Sequence, residues 1–184
     1  MAFKMRSAIA LLLLASTLAA ASAPTREIDA ARSHAAFGVS HIWVERVTGT
    51  VPILSGSVTL PAGAMIPTAA TAVLDATRIE TGEPDRDRSL ESPDFFDAAK
   101  FPHWTFASTS VTARSGNAFE MDGVLTIHGV EQPAKLDVTA NGTPAQPAYH
   151  ATAQIDRHAF GMSVTRLDPT IGGTVTVTLD IVLH

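Results

Sequence analysis

Beyond Glu27, apolar and polar positions alternate along the chain with a period of two. Phe37, Val39 and His41 alternate with Gly38 and Ser40. Val47 to Leu60 is a long β-rich run interrupted by Pro52 and by Gly56, the latter read with Ser55 and Ser57 as a strand bend. Ala72, Leu74 and Ala76 alternate with Val73, Asp75 and Thr77. Trp104, Phe106, Ser108 and Ser110 lead to a turn at Ser115-Gly116-Asn117. Phe119, Met121, Gly123, Leu125 and Ile127 share one face of the next segment. Leu136 and Val138 oppose Lys135, Asp137 and Thr139, and Asn141-Gly142 reads as a turn. Tyr149 to Ile155 and Val175 to Leu183 complete the series. About eight such segments, separated by Gly, Pro and Asn, predict an all-β antiparallel barrel or sandwich with one buried and one wet face.

One stretch breaks the period. Arg86 to Phe106 is polar, punctuated by prolines, and ends in the aromatic cluster Phe95, Phe96, Phe101 and Trp104. Pro84 suits a first helical position, and Asp85 and Asp87 suit the positive end of a helix. Ser92-Pro93-Asp94 reads as a second start, and Pro102 as its stop. The pattern therefore predicts a helical excursion around residues 84–100, with two short turns and with Phe95 and Phe96 on adjacent sides of the second. Inserted between strands, such a segment is placed to form the mouth of a barrel.

The first residues carry a different signal. Lys4 and Arg6 precede an apolar run, densest from Ile9 to Leu14, and small residues from Ala19 to Ala23 follow. That is the pattern of a secretory signal peptide over residues 1–21, with an alternative cut after Ala23, and its apolar run is short for a membrane span. Residues 24–184 then form a single domain, expected in the periplasm or outside the cell. With no cysteine, a disulfide framework is excluded and the exported domain stands on its core alone. Without the leader's two cations, 11 Lys and Arg face 18 Asp and Glu. A charge near −7 excludes the basic footprint that nucleic acid requires.

Catalytic patterns are weak. The seven histidines lie on different segments without metal-ligand spacing, and His41, beside Val39, reads as a hydrogen-bonded structural residue. There is no G-x-S-x-G motif. The pairs Asp85/Asp87 and Asp94/Asp97 sit in capping contexts rather than as acid and base. Arg86, Arg88, Lys100, Arg157 and Arg166 are the cations near the excursion. They either pair with Asp85, Asp87, Asp94 and Asp156 or offer forks to a phosphate or quinone head group. The inward faces could fill a solid core, but Ala72, Ala76, Gly123, Ala151 and Ala153 are small and leave volume along a barrel axis.

Several stretches taken together resemble the YceI-like family of polyisoprenoid-binding proteins. They are I-D-A-A-R-S-H-A-A-F-G-V-S-H-I from Ile28, G-T-V-P-I-L-S-G-S-V-T-L from Gly49 and R-I-E-T-G from Arg78. R-D-R-S-L from Arg86, S-P-D-F-F-D-A-A-K-F-P from Ser92 and G-V-L-T-I-H-G-V from Gly123 follow. Q-P-A-K-L-D-V from Gln132 and I-D-R-H-A-F-G from Ile155 complete them. Each is unspecific alone, whereas their order and spacing are specific.

The resemblance implies an extended, lipocalin-like, eight-stranded antiparallel barrel whose apolar cavity holds an isoprenoid chain, a polyprenyl phosphate or a quinone. The ligand would lie against Phe37, Val39, Leu74, Phe106, Gly123, Leu125, Ala151 and Ala153, with Phe95 and Phe96 gripping it at the mouth. Arg86 and Arg88 are the head-group candidates. No catalytic residue, metal site or catalytic cofactor is expected, and transient membrane contact and a homodimer stay open. The other function class is an envelope enzyme acting on such a lipid, a hydrolase with or without a metal.

Overall fold

A computed structural model describes residues 23–41, 45–162 and 168–184. The leader expected over residues 1–21, and Arg166, lie outside the described residues.

The strands are β1 (Thr25–Glu27), β2 (His34–His41), β3 (Glu45–Thr50), β4 (Ile53–Thr59) and β5 (Ala69–Asp75). After one helix, α1 (Pro84–Glu91), come β6 (His103–Ala113), β7 (Ala118–Ile127), β8 (Val130–Thr143), β9 (Gln146–Asp156) and β10 (Ile171–Val182). All pair antiparallel in one sheet of order β1-β4-β5-β6-β7-β8-β9-β10-β2-β3. The sheet curls back on itself. Ile28, just past β1, bridges Leu183 beyond β10, and Thr50 of β3 bridges Glu80. Register shifts at Ile53/Ser55, Ser108/Ser110 and Ile171/Val175 are irregularities of the kind that bend a strand and raise its twist.

Ten strands replace the eight expected from the sequence, for two physical reasons. Residues 47–60 split into β3 and β4 at Val51-Pro52. Proline has no amide to give the ladder, while the Val51 amide donates to Ala35 O (3.0 Å) and the Pro52 carbonyl accepts from the Asp75 amide (2.9 Å). The chain thus changes neighbours at this point, pairing with β2 before it and with β5 after it. The second addition, β1, is only Thr25–Glu27, too short for a periodic pattern to register.

Local chemistry accounts for the hairpins. Ile127 and Val130 pair across a two-residue turn in which His128 (φ 54°) and Gly129 (φ 72°) both take positive φ. That is the primed geometry whose twist matches the flanking strands. The Ser115-Gly116-Asn117 turn stands where expected. Asn141-Gly142 does not form a turn: both residues belong to β8, and the reversal falls on Pro144-Ala145, between paired Thr143 and Gln146. Pairing with β9 runs on through Asn141 and Gly142 to Thr143, with Gly142 taking φ 81° inside the ladder.

The excursion also differs from expectation. Its first half is α1, with Pro84 at the start and Asp85 and Asp87 in the first turn. Its second half is a string of turns. Ser92 ends α1 instead of starting a second helix, its Oγ donating to Ser89 O (2.6 Å). The amides of Phe96 and Ala98 reach back to Leu90 O and Glu91 O, and Asp97 adopts φ 44°. This left-handed residue is incompatible with a continuing helix.

Two packed clusters fill the ends of the curled sheet. One gathers Phe119, Met121, Val138, Tyr149 and Ile28; the other gathers Val51, Ile79, Trp104, Ile155, Phe160 and Met162. Phe119 and Phe160 are almost fully buried, and each contributes about 1.5–3 kcal/mol through burial alone.

Candidate ligand-binding cavity

The interior that these clusters surround is not filled. Alternation along each strand sends one set of side chains inward, and these line a cavity of about 500 Å³. Strand β2 contributes Phe37, Val39 and His41, β5 contributes Ala72 and Leu74, and β6 contributes Trp104 and Phe106. Leu125 and Ile127 of β7, Leu136 of β8, Ala153 and Ile155 of β9, and Val175 to Ile181 of β10 close the far wall. The volume lies in the range of sites that enclose small molecules.

At one end the lining changes character. Asp85, Arg86, Ser89 and Leu90 of α1 meet Phe95, Phe96 and Trp104 there. Asp85 and Ser89 are the exposed members of the described lining, so the cavity reaches solvent beside α1. Phe96 packs on Trp104 with ring centroids 4.6 Å apart. Phe95 and Phe96 both line the cavity, although a helical turn would have sent them to different sides. The turn at Ser92–Asp97 replaces that helix and turns both rings toward the lumen. Phe101 packs elsewhere, edge-on to His128 (5.1 Å) with Lys100 Nζ over its ring (4.9 Å).

The two head-group candidates separate. Arg86 lines the cavity and donates from Nε to Thr81 Oγ1 (2.8 Å) and from Nη2 to Thr81 O (3.0 Å). Asp87 accepts from the amide and hydroxyl of the same threonine, so Thr81 fixes α1 over the opening. Arg88 points away, is exposed, and pairs with Asp85; a helix places successive side chains about a quarter-turn apart, and Arg88 falls on the outer face. Arg157, placed by the sequence among the cations near the excursion, lines the same cavity as α1. It is 5 % exposed and donates to the carbonyls of Gly172 (3.0 Å), Ile171 (2.9 Å) and Met162 (2.5 Å).

Two more positions need correction. Ala151 does not reach the main cavity but lines a second chamber of about 70 Å³ with Ile28, Phe119, Val138 and Tyr149. It sits one turn of the pleat beyond Ala153, toward the other end of the sheet. Gly123 lines neither space, because the Phe106 ring covers it: a Cβ there would lie 2.4 Å from Phe106 Cζ. The remaining candidates, Phe37, Val39, Leu74, Phe106, Leu125 and Ala153, all line the main cavity. Sequence reasoning missed Val51, Leu90, Ala134 and Met162 as lining residues. Val51 and Met162 lie between strands and Leu90 on α1, where a period of two gives no signal, while Ala134 lies inside β8, next to Pro133 in a stretch whose alternation begins only at Leu136.

The chemistry of this space is that of apolar enclosure. Among the described residues, no three His, Asp or Glu side chains gather in a metal-binding arrangement. The shifted acids lie on rims and outer faces. The Arg32 hydrogen bond holds Asp29 below the usual carboxylate range, and Lys135 and Arg114 do the same to Glu120. Burial pushes the Tyr149 hydroxyl up, against a smaller opposing pull from Arg26. Among the described residues, that hydroxyl and Trp104 Nε1 are buried without a hydrogen-bond partner.

A family model, the YceI-like domain, matches residues 27–183. The chain belongs to the YceI-like family. A UPF0312 protein of Vibrio parahaemolyticus is 30% identical over 122 residues, a stretch covering 65% of each chain. Another from Vibrio vulnificus is 30% identical over 130 residues, or 70% of this chain and 69% of that one. Among solved structures, Burkholderia cenocepacia BcnA superposes with a TM-score of 0.77 at 23% identity, covering 84% of this chain and 98% of BcnA. A domain from Saccharophagus degradans, described as polyisoprenoid binding and implicated in plant cell wall breakdown, gives 0.66 at 18% identity. That superposition covers 89% of this chain and 99% of the domain. These likenesses establish the lipocalin-like fold of the YceI-like barrel.

Proposed function

We propose that this protein is an exported carrier that holds an isoprenoid lipid, a polyprenyl phosphate or an isoprenoid quinone, in its cavity. The observation that carries the reading is the mainly apolar space of about 500 Å³ that opens beside α1, where Asp85, Arg86 and Ser89 line it. A hydrocarbon chain gains about 0.8 kcal/mol for each CH₂ it buries, so such a wall binds a chain without specific polar contacts. The polar group then stays at the α1 end, within reach of Arg86. Family membership and the polyisoprenoid-binding description of the Saccharophagus domain support the same ligand class. Export rests on the leader pattern, with cleavage after Ala21.

Incubation of purified protein with a polyprenyl phosphate and with an isoprenoid quinone, followed by solvent extraction and mass spectrometry, tests the reading. A carrier returns each lipid unchanged and bound at close to one per chain. Conversion to a product would instead make the protein an enzyme, and a folded protein that binds neither lipid would end the proposal.

A further inference from the structure

Phe106 stands between the two internal spaces. Its ring lines the main cavity and also the small chamber beyond it. Ala72, Leu136, Leu179 and Ile181 line both as well. These side chains come from β5, β6, β8 and β10 and form a collar around the lumen. Phe106 is the aromatic member of the collar, and its resting place depends on a residue of the neighbouring strand. Gly123 has no side chain, and the ring occupies that vacancy: Cζ and Cε2 lie 2.4 and 2.5 Å from where a Cβ would be. The Ala107 carbonyl oxygen lies 2.6 Å from the same point, and real Cβ contacts do not come so close, so any larger residue at 123 must displace both the ring and the adjoining backbone of β6.

We infer that Phe106, seated on Gly123, sets the longest chain the barrel accepts by closing off the chamber behind it, which takes the end of a hydrocarbon ligand only when the ring is removed. The inference rests on the proposed function and deepens it. The chamber of about 70 Å³ is well above the roughly 10–15 Å³ that admits a single water-sized group, so it takes several methylene-sized groups. Opening it while deleting the phenyl ring makes room for at least one further isoprene unit. Its walls, Ile28, Phe119, Val138 and Ala151 among them, are apolar, which suits the methyl-terminated end of a chain and not a second polar group.

The test measures affinity across a graded series of isoprenoid alcohols, one unit apart, for the wild type and four variants. Phe106→Ala should move the preferred length up by one unit or more, favouring the longer chain by roughly tenfold. Gly123→Ala, where it folds despite the Ala107 carbonyl 2.6 Å from its Cβ, should move the preferred length down by pushing the ring into the lumen. The Phe106 variants decide the matter where it does not fold. Ala151→Leu fills the chamber, so it should leave the wild-type preference alone yet cancel the gain in the Phe106→Ala background, a double-mutant coupling. Phe106→Leu takes the place of Phe106→Ala if the larger truncation does not fold. An unchanged preferred length in the folded Phe106 variants overturns the inference while the carrier reading stands. A folded wild type that binds no member of the series, nor the charged or quinone forms, overturns both.

Discussion

Ala153→Phe separates a cavity from a solid core. Ala153 lies on β9, is 6 % exposed, and lines the main cavity. In a close-packed interior, adding a phenyl ring forces neighbours off their rotamers and costs about 1–3 kcal/mol. Here the ring enters a space of about 500 Å³ that the side chains leave open. The ligand-free protein should therefore keep its stability or gain some, because the new ring buries apolar surface. The same ring takes up the space of about six ligand carbons. At ~0.8 kcal/mol per CH₂ expelled, the ceiling on lost binding is about 5 kcal/mol. Allowing for carbons that find contacts elsewhere, about 3 kcal/mol is expected, or roughly a hundredfold in Kd. Thermal unfolding of the ligand-free variant and titration with a polyprenyl alcohol measure the two halves separately. A variant destabilised by more than about 2 kcal/mol, or one that binds as tightly as the wild type, would refute the argument.

Other outcomes follow from single features of the structure. Arg86→Ala should weaken binding of a polyprenyl phosphate by about 1 kcal/mol, roughly fivefold, and leave the corresponding alcohol unaffected, as read by parallel titrations. Tyr149→Phe removes a buried hydroxyl that has no partner and should raise stability by about 1 kcal/mol in a denaturant titration. Glu120, held low by Lys135 and Arg114, contributes stability that is full above its unfolded value of about 4.3 and fades as pH falls through its lower folded value. Glu120→Gln should therefore flatten the acid limb of a plot of Tm against pH without changing the curve's shape near neutrality.

How far the sequence reveals the molecule depends on which forces act locally. A period of two identifies β7, because Phe119, Met121, Gly123, Leu125 and Ile127 share one side while Glu120, Asp122 and Thr126 lie on the other. The same signal places Phe37, Val39, Leu74 and Ala153 on the cavity wall. It fails where the partner of a strand changes, as at Val51-Pro52, since pairing is a tertiary fact and both halves remain β-rich. It fails again at Ser92-Pro93, whose helix-start chemistry is overridden when residues 96 and 98 fold back on the end of α1. The division of the interior was not legible at all. Gly123 reads as volume left open, yet that volume is filled by Phe106 from the next strand, and no periodicity along one strand reports what leans across from another. The anchoring of Arg157 hides for a similar reason: its acceptors are carbonyls at Met162, Ile171 and Gly172, which carry no sequence signature.

The central claim is that the barrel's cavity holds an isoprenoid chain. Native mass spectrometry of the protein, isolated without detergent from the envelope fraction of expressing cells, tests it most directly. The account predicts a mass above that of the processed polypeptide by one isoprenoid lipid, released on solvent extraction and missing from Ala153→Phe prepared alongside. A folded wild type that carries only its polypeptide mass, and that takes up no isoprenoid when one is supplied, would contradict it.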